Sequence, residues 1–341
     1  MKKIFLPLLL TFLISCGPSK IKRIESSKAA TTSLEHIVEA RNVQGGQQQE
    51  DTPISATSVR KHLEFLASDN LKGRDTGSEG LEEAALYITN HFTEYGVKPY
   101  FDTMRDDFDA KGVPTYNIVG VVEGNDPGLK KEYVLIGAHY DHIGIIKAVA
   151  GDSIANGAND DASGTVAVME LAKYFAQQKT NKRSLIFALF SAEEKGLLGS
   201  KHLAQRLKEE QANIYTMLEI EMIGVPMVSK DYLAYLTGYE MSNMAAVFNS
   251  DSGDNVLGFL PQAQEYHLFN RSDNASFYNA LGIPAQTVST FDFTNFDYYH
   301  QVGDEVDELD MNHMAKVINH LIPGIQGMTT SAAHIITMNE Q

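Results

Sequence analysis

Apolar residues recur at helical spacing in two segments that follow residue 55. Ser58 stands where it can cap the first of these helices. The second is predicted to begin after Ser78 and to end at Gly96, and a Gly- and Asp-rich loop over residues 68–77 separates the two. The globular part of the chain is therefore predicted to open with a helical pair.

Beyond this pair, short continuous apolar runs alternate with longer segments of helical periodicity. The predicted strands cover 116–122, 133–138, 184–190, 215–222 and 285–290. The predicted helices cover 163–178, 196–210, 241–249, 273–281 and 311–336. Continuous apolar strands separated by helices indicate a sheet that is covered on both faces. We expect a single α/β/α domain with a mostly parallel mixed central sheet flanked by helices.

The first sixteen residues follow a different pattern. Lys2 and Lys3 precede an apolar run, 4–14, that is too short to span a bilayer as a helix. The run ends in Leu-Ile-Ser-Cys16, which resembles a bacterial lipoprotein signal, although an ordinary secretory signal is the alternative. Cys16 is the only cysteine of the chain, which favours lipid attachment and excludes an intramolecular disulfide.

These features divide the chain into three parts. We expect a signal peptide over 1–15, a lipidated polar tether over 16–54, helical in part around 33–43, and a globular domain over 55–341. The protein would then be exported and anchored to a bacterial membrane, on the periplasmic side or the cell surface, only through lipid on Cys16.

Composition narrows the classes of partner. With 44 acidic and 28 basic residues, the formal charge is −16, which argues against a nucleic-acid partner. Clustered carboxylates could be neutralised by metal ions. The same excess is also typical of a soluble acidic surface, and composition does not distinguish the two.

Acids and a histidine lie at the carboxyl ends of several predicted strands. His139 and Asp141 follow 133–138, Glu193 and Glu194 follow 184–190, and Glu221 ends the run 215–222. In open α/β sheets, ligands bind outside the carboxyl ends of the strands. We therefore expect these segments to converge on one crevice.

Each segment also has an ordinary structural explanation. Asp160 and Asp161 lie in a turn-rich loop before a helix, where acids are common, and Asp161 is expected to support the turn. His142 is expected to be a surface residue or to lie behind the ligands. Glu219 and Glu221 share one face of an apolar strand, where carboxylates are costly to bury without a cation. For these two glutamates, a solvent-exposed position is therefore the weakest explanation.

The ordered motifs resemble metallopeptidase family 28, the co-catalytic di-zinc aminopeptidases, whose relatives include glutamate carboxypeptidases and glutaminyl cyclases. The likeness covers roughly residues 58–325. It is carried by Gly-Ala-His139-Tyr-Asp-His142, Asn156-Gly-Ala-Asn-Asp160-Asp161-Ala-Ser-Gly164, Ser191-Ala-Glu193-Glu194-Lys-Gly-Leu-Leu-Gly-Ser200, Glu221-Met-Ile-Gly224 and Tyr299-His300. Leu66-Ala-Ser-Asp69, Gly73-Arg74 and Gly282-Ile-Pro-Ala285 support it.

The resemblance implies two zinc ions and a peptide substrate. One ion would be bound by His139 and Glu221 and the other by Glu194 and His300, with Asp160 bridging the two. This would make 55–341 a zinc peptidase domain, and leaves the oligomeric state open.

The resemblance also implies how the reaction is catalysed. Glu193 would be the general base, because a zinc-bound water has a pKa near roughly 7 and can yield its proton to a carboxylate. Asp141 would orient the ring of His139. Apart from the resemblance, Tyr299 stands next to His300 in the sequence, and we expect it to donate to the developing oxyanion. The peptide bond between Asp160 and Asp161 is a candidate for the cis form.

The chain departs from the family's motifs at two positions, and three alternatives to an aminopeptidase stay open. The family usually has Asp where this chain has Glu221, and often His where it has Asn274. A single-zinc glutaminyl cyclase is an alternative, because those enzymes resemble this chain in the order of their ligands, but they use tryptophan near the site and this chain has none. A carboxypeptidase for acidic dipeptides would need clustered arginines, whereas Arg271 is the only one after Arg206. A non-catalytic binding module on the same fold is the third.

Overall fold

The computed structural model describes residues 53–340, so the predictions for the signal peptide, the tether and Cys16 lie outside the described residues. The helices are α1 Ala56–Leu66, α2 Glu79–Tyr95, α3 Ser163–Gln178, α4 Leu198–Glu209, α5 Met244–Ser252, α6 Pro261–Glu265, α7 Asn274–Leu281 and α8 Met311–Thr330. The strands are β1 Lys98–Pro99, β2 Arg105–Asp109, β3 Pro114–Val122, β4 Tyr133–His139, β5 Ile145–Val149, β6 Asp152–Ile154, β7 Ser184–Phe190, β8 Ile214–Ile220, β9 Ala234–Leu236, β10 Leu257–Gly258 and β11 Ala285–Ser289.

A nine-stranded mixed sheet organises the part of the chain from 53 to 340. Its order is β1-β3-β7-β4-β8-β11-β9-β10, with β2 paired to the outer side of β3. The central strands β7, β4, β8 and β11 are mutually parallel, whereas β3 and β9 join them antiparallel. Strands β5 and β6 form a separate hairpin.

Side chains of the central strands alternate between two apolar layers. Val134 and Ile136 of β4 pack into one core with residues of α1, α2, α3, α5 and α8. Leu135, between them, packs into a second core on the opposite face with residues of α4 and α7. This alternation follows from the two-residue period of a strand. The fold is thus the predicted α/β/α arrangement.

The predicted elements are present, with differences at their ends. Ser78 caps α2 by accepting from the Leu81 N–H, and Gly96 ends that helix with a positive φ, as predicted. Helix α1 is capped by Ser55 and not by Ser58. Helix α8 stops at Thr330 and not at 336, where the buried guanidinium of Arg183 binds the carbonyls of Met328 and Ser331.

None of the helices between residues 53 and 340 combines the length and the apolar character that a bilayer crossing requires.

Candidate metal centre

The carboxyl edge of the parallel strands carries the predicted ligands. His139 is the last residue of β4 and pairs in register with Phe190, the last residue of β7. Glu193 and Glu194 therefore begin just beyond the same edge. Glu221 follows β8, and its N–H donates to Val288 O of β11 at 3.0 Å. The register of three adjacent strands places these residues together.

The loop that carries Asp160 is fixed by neighbouring polar groups. Asp304 is fully buried and accepts from the backbone N–H of Asn159 at 2.6 Å and of Asp160 at 3.0 Å. Asp161 Oδ1 accepts from the N–H groups of Gly164 at 2.9 Å and Met222 at 3.0 Å, which confirms its predicted role in the turn. The peptide bond between Asp160 and Asp161 is cis, as expected.

Arg74 ties this loop to the end of β4. Its guanidinium is only 1% exposed and donates to the carbonyls of Tyr140 at 2.9 Å, Asn156 at 2.6 Å and Gly157 at 2.9 Å. Burial lowers the pKa of Arg74 to about 10, while the charges of neighbouring aspartates, first Asp304, raise it. The side chain is therefore still a cation at neutral pH, and it fixes backbone that carries two groups of candidate ligands.

Four of the five predicted ligands meet around Asp160. His139 Nε2 lies 3.2 Å from Asp160 Oδ1. His300 Nε2 lies 3.1 Å from Asp160 Oδ2 and 3.1 Å from Glu194 Oε2. Burial and then the charge of Glu219 raise the pKa of Glu221 to about 8, and the charges of His139 and Asp160 also act on this carboxyl group, so Glu221 lies close to the cluster. Asp160 thus faces a histidine with each of its oxygens, as a bridging carboxylate would.

Asp141 is positioned differently from the prediction in one detail. His139 Nδ1 lies 3.0 Å from the backbone carbonyl oxygen of Asp141, whereas the nearer carboxylate oxygen is 3.8 Å away. That carboxylate instead accepts from Thr76 Oγ1 at 3.0 Å and from the backbone N–H of Glu193 at 3.1 Å. Asp141 therefore orients His139 through its main chain and Glu193 through its side chain.

The ionisable groups influence one another strongly across the cluster. Burial alone would lower the pKa of His300, but contact with Asp160 and Glu194 raises it to about 10. Burial raises the pKa of Glu193 well above its usual range, although the charge of His139 opposes this shift. The pKa of Glu194 is lowered: burial and Asp160 raise it, but the neighbouring imidazoles outweigh them. Adjacent carboxylates with opposite shifts suit different tasks.

Tyr299 lies between the cluster and a cavity. Its ring stacks on that of His300, with centroids 4.0 Å apart, and burial raises its pKa far above 10, which keeps the phenol protonated. The cavity encloses about 410 Å³ including its mouth. Its apolar walls include Met222, Leu268, Phe291 and Phe293, and Glu221 lies at its wall.

His142 is a residue whose position the sequence did not reveal. It is fully buried, and its Nδ1 lies 2.9 Å from Glu194 Oε1 and 3.8 Å from Asp160 Oδ2. Of the two expectations for His142, the surface position is wrong, whereas a buried position next to the ligands agrees with the structure. Its position three residues after His139 was the only sequence signal, and that spacing has no fixed meaning at the end of a strand.

Asp304 and Asp273 were also missed. Asp304 stands four residues after His300 and contacts only backbone groups, so its residue type alone carried no signal. Asp273 is fully buried. Burial raises its pKa to about 7. The predicted cluster is therefore more acidic than the five ligands alone imply.

A family model built for peptidase family M28 matches residues 117–323, which is more than half of the chain and includes every residue of the cluster. This chain belongs to peptidase family M28. The match begins in β3 and ends in α8, so it includes the whole parallel centre of the sheet and its carboxyl edge.

Curated relatives of this M28 protein include two named fungal proteins. This chain is 30% identical over 206 residues to a "Probable zinc metalloprotease" of Pyrenophora teres f. teres. The aligned region covers 56% of this chain and 43% of the relative. The chain is 26% identical over 275 residues to "Leucine aminopeptidase 1" of Trichoderma harzianum, and this alignment covers 76% of this chain and 66% of the relative. The chain spans less than half the length of the first of these.

Solved structures share the fold. The LapA aminopeptidase of Legionella pneumophila aligns over 92% of this chain and 79% of its own, with a TM-score of 0.64 and 21% identity. The glutaminyl cyclase of Porphyromonas gingivalis aligns over 81% of this chain and 99% of its own, with a TM-score of 0.64 and 17% identity. Both likenesses concern the M28 fold, which serves more than one reaction.

The cluster of this M28 protein fits metal ions. Asp160 Oδ2 and Glu194 Oε1 are buried without a hydrogen-bond partner, and His142, Asp160 and Glu194 offer ligand atoms within 4.8 Å of one another. Buried carboxylates are unfavourable unless a cation or hydrogen bonds compensate them. Imidazole and carboxylate donors together suit zinc, although manganese or cobalt could substitute.

Proposed function

We propose that this chain is a zinc-dependent aminopeptidase that binds two zinc ions. The observation that carries the proposal is the meeting of His139, Asp160, Glu194 and His300 at contacts of 3.1 to 3.2 Å beside an apolar cavity. His139 and Glu221 would hold one ion, Glu194 and His300 the other, and Asp160 would bridge them. When bound, zinc lowers the pKa of a water molecule and polarises the carbonyl of the substrate.

Glu193 moves the proton in this proposal. Burial raises its pKa, so the carboxylate readily takes a proton from water and can then release it to the leaving amine. Its backbone N–H is held by the carboxylate of Asp141 at 3.1 Å. The left-handed backbone of Ala192, with φ 59°, turns the chain immediately before it. The main chain of Glu193 is thus held in place by Asp141.

Tyr299 supplies a hydrogen-bond donor at the wall of the cavity. Its phenol stays protonated and lies beside His300 at the wall of the cavity. A neutral donor in a partly buried position stabilises negative charge that develops on a carbonyl oxygen. Tyr299 therefore assists the attack and does not take part in proton transfer.

The cavity fits the first residue of a peptide. Among its lining residues, Leu268, Phe291 and Phe293 favour an apolar side chain. The carboxylates around Glu221 favour the cationic amino group of an unblocked N-terminus. A substrate with a blocked amino group would lose that attraction, which is why we favour an exopeptidase.

A glutaminyl cyclase is the second candidate, because a cyclase of that type has the same fold. The absence of tryptophan from the sequence, with Tyr299 next to His300, argues against it. A binding module without activity is the third, and the complete set of ligand side chains argues against that.

A panel of substrates tests the proposal. The zinc-loaded protein is mixed with leucine p-nitroanilide, with its N-acetyl derivative and with an N-terminal glutaminyl peptide. We expect hydrolysis of the unblocked anilide alone, loss of activity after chelation, and recovery when zinc is returned. Cyclisation of the glutaminyl peptide without hydrolysis would favour the cyclase, and no turnover of any substrate would favour a binding module.

A further inference from the structure

His142 is held inside the metal cluster and does not merely border it. The side chain is fully buried, and its ring lies 5.7 Å from that of His300, centroid to centroid. Its backbone N–H donates to the carbonyl of Arg74 at 3.2 Å. A Cβ at Gly157 would lie 2.6 Å from the ring, so only glycine leaves room for His142 at this position. The loop of Asp160 is therefore packed directly onto this imidazole.

Neither ring nitrogen of His142 has a hydrogen-bond partner, and Glu194 Oε1 has none either. The two atoms Nδ1 and Oε1 are nevertheless only 2.9 Å apart. A buried imidazole that contacts a carboxylate without a hydrogen bond is unusual, because such groups are almost always paired. Two atoms that coordinate the same ion lie side by side in this way, with their lone pairs directed at a third point.

We propose that His142 Nδ1 is a further metal ligand at the position held by Glu194 and His300. This inference rests on the proposed metal pair and specifies how its two positions differ. Nδ1 of His142, Oδ2 of Asp160 and a carboxylate oxygen of Glu194 lie within 4.8 Å of one another. His300 Nε2 contacts both of these carboxylates at 3.1 Å. One position thus has two imidazoles and two carboxylates.

The two metal positions are therefore unequal. The position of His139 and Glu221 has three protein ligands with Asp160, which leaves room for water or substrate. The position of His142 has four, the number that closes a zinc site and gives it a structural character. The first ion would exchange readily, and the second would be retained and would hold Asp160 and Glu194 in place.

Zinc X-ray absorption tests the ligand count directly. In the zinc-loaded wild-type protein we expect three imidazoles shared between two ions, and two in the His142→Ala and His142→Asn variants. Removal of a residue that only supports a ligand typically weakens metal binding by about 10- to 100-fold. For His142 we expect the loss of affinity at one of the two sites to exceed about 100-fold, measured by competition with a chelator.

The matched control is His313→Ala. His313 is also buried, and its Nε2 also lacks a hydrogen-bond partner, but it lies on α8 among residues of a different pocket. This variant should retain both zinc affinities and the imidazole count. If the His142 variants fail to fold, the wild-type count still decides between three imidazoles and two.

Three results would overturn the inference, and one of them would remove the proposed function as well. Two imidazoles in the wild-type protein, or an unchanged count in folded His142 variants, would show that His142 is not a ligand while the proposed peptidase activity stands. A wild-type protein that binds no zinc would instead remove the proposed function and this inference together.

Discussion

Asp304 acts on the site through the backbone of its neighbours. Both of its carboxylate oxygens accept N–H groups of the loop, one from Asn159 and one from Asp160 itself. Burial raises the pKa of Asp304 to about 8, and the two N–H groups and Arg74 oppose that shift. The residue therefore positions the bridging carboxylate without touching it.

We expect Asp304→Ala to reduce zinc affinity by about 10- to 100-fold, as loss of a group that orients a ligand does. The unpaired N–H groups should also lower the free energy of unfolding by about 1–3 kcal/mol. Chelator competition and denaturant titration measure the two effects. The exposed Asp307→Ala is the matched control, and equal zinc affinity in both variants would contradict the role given to Asp304.

Single residues differ in how far the sequence could place them. His139, Glu194 and Glu221 could be predicted because each follows an apolar strand, and strand ends meet at one edge. Asp304 and His142 could not, because their positions depend on how two loops pack. Asp141 was placed correctly, but the bond of its main chain to His139 depends on local backbone geometry that residue type does not determine.

At the scale of elements, a buried polar cluster joins α1, α2 and α3. His62 of α1 is 3% exposed and lies 2.8 Å from Tyr87 Oη and 3.1 Å from Tyr95 Oη of α2. Glu170 of α3 lies 3.5 Å from His62 Nε2. Burial, followed by the charges of His91, Lys173 and Lys61, lowers the pKa of His62 to about 4. The folded protein therefore holds this imidazole neutral.

Acidification should weaken this helical contact. In the unfolded chain His62 titrates near its ordinary pKa of about 6.5, so between about pH 6.5 and pH 4 the unfolded state binds more protons. The contribution of neutral His62 to the free energy of unfolding is therefore fully present above pH 6.5 and is lost as the pH falls towards 4. From pH 7 to pH 5 we expect a loss of about 2 kcal/mol from this residue.

The measurement compares unfolding free energies of the wild-type protein and His62→Gln at the two pH values. The variant should lose less stability on acidification than the wild type, and His320→Ala, a partly exposed histidine of α8, should behave like the wild type. Equal losses in wild type and His62→Gln would show that the pKa of His62 is not depressed.

The same cluster explains an error in predicting α1. Ser55 and Ser58 are three residues apart, and either could cap the helix by sequence alone. Ser55 accepts from the Ser58 N–H, whereas the hydroxyl of Ser58 donates to Glu170 of α3. Strands β1, β6, β9 and β10 were not predicted, because two or three residues carry no readable period. The five-residue strands β2 and β5 were also missed, since both are largely exposed and carry no continuous apolar run. Contacts between residues that are distant in sequence therefore decide which serine caps α1 and where the short strands pair.

At the scale of the whole molecule, the parallel centre of the sheet brings the chemistry together. Residues from 139 to 300 are distant in sequence, yet the register of β4, β7 and β8 aligns their carboxyl ends. This part of the account was predictable, because continuous apolar strands imply parallel neighbours. The unequal surroundings of the two proposed metal positions were not predictable, since they depend on packing at the ends of loops.

The N-terminal sequence carries a prediction about localisation. We propose that lipid on Cys16 anchors the exported protein to a bacterial membrane. On expression in a bacterial host, the wild-type protein should fractionate with membranes and incorporate labelled palmitate. Cys16→Ala should do neither, while Ser15→Ala should still do both. Membrane association of Cys16→Ala without label would point to an uncleaved signal as the anchor.

The central claim is that Glu193 transfers the proton at a zinc-loaded site. The most direct measurement is kcat/KM of Glu193→Gln on leucine p-nitroanilide together with its zinc content. We predict a loss of about 10²- to 10⁴-fold, the usual contribution of a general base, with zinc content equal to that of the wild type. Activity close to the wild-type value at full zinc content would contradict the account.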